Sequence, residues 1–238
     1  QHCTAAAFLL SERNVTTPIS FDPAQVPVTG VDTHLPKVSG ELLAPAALRR
    51  RFVAPPVWTP EYLSEPKFSQ RTPVAASVLV PLVMRDQLMV LLTQRTAHLS
   101  SHSGQVAFPG GKADPEDADV AATALREAQE EIGLHPDHVE VIGTLPIYTT
   151  GSAYIVTPVV ALVQPDAPLV PNADEVADVF EVPLAFLMDP ANHRHHAVDW
   201  QGATRQWLSM PYRDANRERF IWGATAGMLR NFYRFLLD

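Results

Sequence analysis

Arg126, Glu127, Glu130 and Glu131 stand within six consecutive residues, in the stretch REAQEEIG. On a helix turning roughly 100° per residue, Glu130 and Glu131 fall about 60° and 40° to either side of Glu127. Like-charge pairs at these spacings cost about 0.2–0.5 kcal/mol each. Arg126 is the only cation in the turn, and it lies N-terminal to Glu130, the weaker orientation for an i,i+4 pair. One arginine cannot neutralise three acids, but a hard divalent cation can. Mg²⁺ keeps several waters and binds through a few carboxylates plus substrate phosphates. The chemistry these residues would do is therefore metal-assisted attack of water on phosphorus.

Such a platform has to be held rigidly. Ala121, Leu125, Ala128 and Ile132 form an apolar stripe about 130° from Glu127, which predicts a helix over Asp119–Ile132 packed on a sheet. Gly110 and Gly111 precede it and let backbone approach a ligand closely. Asp114 or Asp117 is expected to cap the start, and Gly133 to stop the end. Upstream, the apolar runs Val74–Met84 and Leu88–Gln94 are separated by Arg85, Asp86 and Gln87 and read as a buried hairpin. GQVAFPGG reads as a short strand entering the glycine loop. VEVIGTLPIYTT and AYIVTPVVALV read as further strands. Asn172–Phe180 reads as an acidic loop leading to a strand at VFEVPL, and FIWGATAGMLRNFYRFLL as a closing amphipathic helix. The pattern is α+β, with a sandwich as the leading architecture.

Nine of the 22 prolines fall in residues 1–71, where one short helix at PAALRRRF is plausible. The expectation is a Pro-rich arm over 1–71 and a domain over 72–238. The 238 residues carry 46% hydrophobic residues and a net charge of −8, which argues against a nucleic-acid partner bound through bulk positive potential. The single cysteine, Cys3, rules out an intramolecular disulfide. No apolar run is long enough to span a bilayer, so no membrane partner is expected, and the cytoplasm is the expected location. The cluster HRHH (His193, Arg194, His195, His196) invites a zinc reading. Strand alternation would split its side chains between faces, and no second cluster completes a site.

REAQEEIGL, preceded by Gly111, resembles the Nudix box, G-x5-E-x7-R-E-U-x-E-E-x-G-U with U aliphatic. Two departures stand out. Asp117 occupies the place of the first glutamate, and eight residues rather than seven separate it from Arg126. The stretch Leu91–Gly111 resembles the narrower signature of Nudix coenzyme A pyrophosphatases. Leu91, Leu92, Thr93, Arg95, Gly104, Phe108, Pro109, Gly110 and Gly111 match it. Thr96 replaces a serine or alanine, and Ser100 replaces a second arginine. The resemblance covers roughly residues 73–237.

It implies a Nudix α/β/α sandwich, a mixed sheet flanked by helices. It further implies that Glu127, Glu130, Glu131 and the Gly110 carbonyl hold Mg²⁺ or Mn²⁺, with Arg126 orienting the glutamates. Arg95, Gly110, Gly111 and the Ser100 position would meet the substrate phosphates. A remote glutamate, best matched by Glu175 and next by Glu181, would complete the metal site or act as base. His98 and His102, flanking Ser100, are loop polar residues on this reading. The implied partner is a small-molecule nucleotide, with a homodimer left open. The implied reaction splits coenzyme A or an acyl-coenzyme A into 3′,5′-ADP and (acyl-)4′-phosphopantetheine. The alternatives are another nucleoside diphosphate derivative such as ADP-ribose or NADH, or a non-catalytic Nudix-fold binding module.

Overall fold

The computed structural model describes residues 22–67, 69–96, 104–200, 203–215 and 217–238. In chain order the strands are β1 (Val28–Val31), β2 (Val74–Met84), β3 (Leu88–Arg95), β4 (Val106–Ala107), β5 (Gly110–Lys112), β6 (Val139–Thr144), β7 (Tyr148–Thr149), β8 (Tyr154–Val163), β9 (Val176–Pro183), β10 (Arg194–Trp200), β11 (Ala203–Asp214) and β12 (Arg217–Trp222). The helices are α1 (Pro45–Val53), α2 (Val120–Ile132), α3 (Leu184–Leu187) and α4 (Gly223–Leu237).

The larger sheet is built on β2, whose β-branched, apolar residues run buried through the molecule. It pairs in parallel with β8 from Val74↔Tyr154 to Val83↔Val163. The expected hairpin with β3 is present, in the register Leu82↔Val90, Val83↔Met89 and Met84↔Leu88. Along its other edge β3 pairs with β9 throughout; beyond the hairpin it leaves β2 and takes β4, and the vacated N-terminal half of β2 takes β5 instead. This split is what carries the glycine loop into the middle of the sheet. Alternation along β2 then builds two cores. Leu79 and Val83 join Ala124, Ala128 and Ile132 of α2. Val80 and Leu82 face the cluster that holds Leu229, Phe232 and Tyr233 of α4. The mixed sheet between helices is the expected α/β/α sandwich, of α+β class.

Three local readings need correction. The N-cap of α2 is Asp119, whose Oδ1 accepts from the Ala122 N–H at 2.8 Å, rather than Asp114 or Asp117. Those two are engaged in the preceding loop. Strand β9 begins at Val176, four residues before Phe180, because Val176 and Asp178 already pair with Arg95 and Gln94 of β3. Phe220–Trp222 end strand β12, and α4 starts at Gly223.

A second, antiparallel sheet, ordered β1-β10-β11-β12, is absent from the sequence reading. Part of the Pro-rich segment builds it, since β1 pairs with β10. Other described residues of that segment contact the same body. In α1, Arg49 forks onto Glu140 of β6 at 2.8 and 2.7 Å. Asn231 of α4 accepts from the Glu61 and Tyr62 N–H groups at 2.9 and 3.0 Å. The guanidinium of Arg230, 3% exposed, meets Asp32 at 2.8 Å and Glu61 at 2.7 Å.

The HRHH residues separate as strand alternation requires. His195 Nε2 lies 2.9 Å from Asp32, and His196 Nε2 lies 2.7 Å from the Ser209 hydroxyl. His193 is fully buried. Its Nε2 lies 2.7 Å from the Leu187 carbonyl, and its Nδ1 lies 2.9 Å from Arg230 Nη1. A carbonyl can only accept and a guanidinium can only donate, so the ring is a neutral tautomer with its proton on Nε2. Burial, helped by the charge of Arg230, pushes its pKa from 6.5 down to about 4. The unfolded chain therefore binds a proton between about pH 6.5 and pH 4 that the folded chain refuses. Stability is intact above pH 6.5 and is lost as pH falls through that window, by about 3 kcal/mol when complete. Thermal melts at pH 7 and pH 4.5 are expected to differ, and His193→Gln should shrink that difference. An equal acid shift in the variant would show that other groups carry it.

Candidate active site

The glycine loop is shaped by what touches it. A Cβ on Gly110 would sit 2.4 Å from the Ser77 carbonyl oxygen of β2. One on Gly111 would sit 2.4 Å from Glu127 Oε2. Gly110 is demanded by the close approach of strand to loop, whereas a side chain at Gly111 would displace the Glu127 carboxylate. The approach puts the Gly110 N–H 3.1 Å from Glu131 Oε2, so the loop donates directly to a carboxylate of the helix.

Helix α2 presents its acids in graded exposure. The side chain of Glu131 is 5% exposed, that of Glu127 17% and that of Glu130 61%. Burial raises the pKa of Glu131 to about 7, against the opposing pull of the Gly110 N–H and of Arg95, whose Nη1 lies 3.5 Å away. Burial also raises Glu127, against the pull of Arg126. The charge of Glu175, on the loop before β9, pushes both further up. The remote acid singled out from sequence thus lies within electrostatic reach of Glu127 and Glu131 of α2. Glu181 does not. It is paired with Arg85 at 2.7 Å, next to the β2–β3 turn.

Arg126 lies at the centre of the cluster. Its Nη1 meets Glu127 at 2.9 Å and Glu130 at 3.4 Å, and its Nη2 donates to the Lys112 carbonyl. Its principal partner is one the sequence reading had set aside. Asp117 takes Nε and Nη2 at 2.9 Å each, a two-point carboxylate–guanidinium contact. Asp117 also accepts from the Asp114 N–H and the Thr123 hydroxyl at 2.8 Å each. Arg126 therefore holds its carboxyl well below the usual range. The extra residue between Asp117 and Arg126 is taken up between Asp117 and the start of α2, which begins only at Val120 behind its Asp119 cap. A carboxylate at the position the pattern expects was the signal that could have found it.

Five carboxylates, of Asp117, Glu127, Glu130, Glu131 and Glu175, thus face two guanidiniums, of Arg126 and Arg95, and Asp117 already takes the first. The unbalanced charge and the all-oxygen donor set fit a hard divalent cation. Among the described residues no three acidic, histidine or cysteine side chains converge on one point as they stand. Arg126 draws Glu127 and Glu130 toward itself, while Glu131 turns to Gly110 and Arg95. Ser100, His98 and His102 lie outside the described residues.

The fold and this site define a hydrolase of the mixed-sheet sandwich type, with an acidic helix beside a glycine loop. Residues 72–201 match the NUDIX domain model, and the chain belongs to the Nudix family. It is 48% identical over 158 residues, 65% of this chain and 79% of the relative, to the Uncharacterized Nudix hydrolase NudL of Escherichia coli O1:K1 / APEC. The counterpart in Shigella boydii serotype 18 matches to the same extent. Among solved structures, a MutT/nudix family protein from Enterococcus faecalis aligns with a TM-score of 0.41 and 17% identity, over 79% of this chain and 72% of that one. The protein is accordingly a Nudix hydrolase acting on nucleoside diphosphate derivatives, a class that generally needs divalent metal ions. No helix of the described residues is long and apolar enough to cross a membrane.

Proposed function

We propose that the enzyme hydrolyses the pyrophosphate of coenzyme A or of an acyl-coenzyme A, giving 3′,5′-ADP and (acyl-)4′-phosphopantetheine. Glu127, Glu130, Glu131 and the Gly110 carbonyl would hold Mg²⁺ or Mn²⁺, which when bound neutralises phosphate charge and lowers the pKa of a bound water. Arg126, fixed by Asp117, orients Glu127 and Glu130. Glu175 would take the proton of the attacking water. Gly110 and Gly111 bring backbone up to the phosphates, with the Ser100 position as a further contact.

The observation that carries the reading is Arg95. It ends β3 beside Glu131, and its buried Nε has no hydrogen-bond partner among the described residues. A buried donor left unpaired costs free energy, and a phosphate oxygen on the guanidinium would relieve it. Arg95 is also a fixed residue of the signature that Leu91–Gly111 resembles, and this is what favours coenzyme A over other nucleotides. Incubation with coenzyme A, acetyl-coenzyme A, ADP-ribose and NADH, each with Mg²⁺ or Mn²⁺, tests the proposal. The coenzyme A compounds are expected to be cleaved with the highest kcat/KM. Faster cleavage of ADP-ribose or NADH would move the substrate, and turnover of none would remove the reading.

A further inference from the structure

Glu175 is exposed and sits on a loop, yet its charge reaches two buried carboxylates on another element. Something must hold that loop in place. On the α2 side, the Asn172 N–H donates to the Glu131 carbonyl at 2.9 Å, and the Val170 N–H to that of Ile132 at 2.8 Å. Within the loop, the Asn172 side chain accepts from the Asp174 N–H at 3.1 Å. The Asn172 carbonyl accepts from Glu175 and Val176 at 3.0 and 2.8 Å. These bonds define a turn, but they tie it only to the helix.

The remaining tie runs to β3. The Thr96 N–H donates to the Glu175 carbonyl at 3.0 Å, and the Thr96 hydroxyl donates to the Asp174 carbonyl at 3.2 Å. Thr96 is 6% exposed, so its hydroxyl is a buried donor spent on this loop. The register between β3 and β9 also breaks here, passing from Gln94↔Asp178 to Arg95↔Val176. A bulge of this kind bends a strand and re-aims its side chains. Thr96 follows Arg95 directly, so one short segment carries the phosphate-facing guanidinium and grips the loop of the facing acid.

We propose that the Thr96 hydroxyl is the latch that sets Glu175 against the carboxylates of α2, making Thr96 a positioning residue for hydrolysis. The catalytic half of this rests on the reading of Glu175 given above; the latch itself does not. Alanine at this position would give up the hydroxyl bond while keeping the backbone one, and serine would keep both. Arg95 and Glu175 are thereby coupled, since any shift of the end of β3 moves both.

Three full-length variants test it: Thr96→Val, which keeps shape and loses the hydroxyl, Thr96→Ser, and Glu175→Gln. Amide hydrogen exchange at Glu175 and Val176, without metal or substrate, reads the latch alone. Thr96→Val should speed it at least about tenfold through local opening, with Thr96→Ser near wild type. Unchanged exchange in Thr96→Val overturns the latch. Turnover of coenzyme A, or of whichever panel nucleotide is cleaved fastest, reads the consequence. Thr96→Val should lower kcat about 10- to 100-fold with KM within about twofold, because a small displacement of a catalytic group is costly. Serine should restore it. In a Glu175→Gln background the same change should cost less than about twofold. Equal losses in both backgrounds would mean that Thr96 does not act through Glu175. Wild-type turnover by Glu175→Gln alone would overturn the role of Glu175, leaving the exchange result to judge the latch.

Discussion

Glu131→Gln should abolish most turnover, lowering kcat about 10³-fold or more, which is about 4 kcal/mol of transition-state stabilisation. The substitution is nearly isosteric, and the amide oxygen can still accept from the Gly110 N–H at the 3.1 Å position. Glycine-loop geometry and packing on α2 are thereby preserved. What is lost is a charge in a place where charge is costly, since burial lifts the Glu131 carboxyl to about pKa 7. Proteins keep such groups at functional sites. A cation bound to this carboxylate would stabilise the folded form by mass action. Saturating Mg²⁺ or Mn²⁺ should therefore raise the melting temperature of the unmutated chain, and the increment should be largely lost in Glu131→Gln. The metal-free variant should melt no lower than the metal-free parent, because a buried charge has gone. Near-normal turnover, or an undiminished metal increment, would show that Glu131 is not a metal ligand. Glu130→Gln is the useful comparison. Its side chain is 61% exposed and is paired with Arg126, so a loss there does not come from an altered core.

Much of this site was legible along the chain because local rules wrote it. The acids of α2 share a face by helical spacing, Gly133 ends the helix in a left-handed conformation (φ 69°), and β2 and β3 are continuous β-branched runs. What escaped is non-local. Asp117 was discounted by counting residues, and only the folded chain shows its carboxylate on Arg126 in spite of the longer spacing. Thr96 and Asp174 are 78 residues apart, and neither carries a mark of the other. Strand β11 reads poorly as a strand, since ATRQWLSMPYRD mixes charges with Pro211. Its last pairing with β10 is Arg194↔Ser209, so Pro211 lies past the end of that neighbour. Its missing N–H is not needed there. The second sheet exists because three strands and part of the Pro-rich segment meet, a fact of topology rather than propensity.

That meeting depends on Arg230, and Arg230→Met should be the most destabilising single change outside the apolar cores. The guanidinium, 4% exposed at the side chain, is the common partner of Asp32, Glu61 and His193. Asp32 and Glu61 belong to the Pro-rich segment, whereas Arg230 belongs to α4 and His193 precedes β10. Removing the cation leaves Asp32, 11% exposed, facing low-dielectric surroundings with His195 as its remaining partner. Breaking a buried pair in this way costs about 3–5 kcal/mol. Glu61 adds little, since its side chain is 32% exposed and can turn to water. For a chain of this size the loss corresponds to a melting temperature lower by roughly 6–20 °C. The triple change Arg230→Met, Asp32→Asn, Glu61→Gln discriminates between lost charge balance and lost packing. If uncompensated carboxylates are the cause, the triple variant should recover most of the deficit, because an apolar replacement of a buried ion pair is often neutral. If it melts as low as the single variant, the stem of Arg230 matters more than its charge. In either case kcat per folded molecule should hold at temperatures well below the melt, since none of these residues touches α2 or the glycine loop. A fall in kcat without unfolding would show instead that the Pro-rich segment acts on the active site through α4.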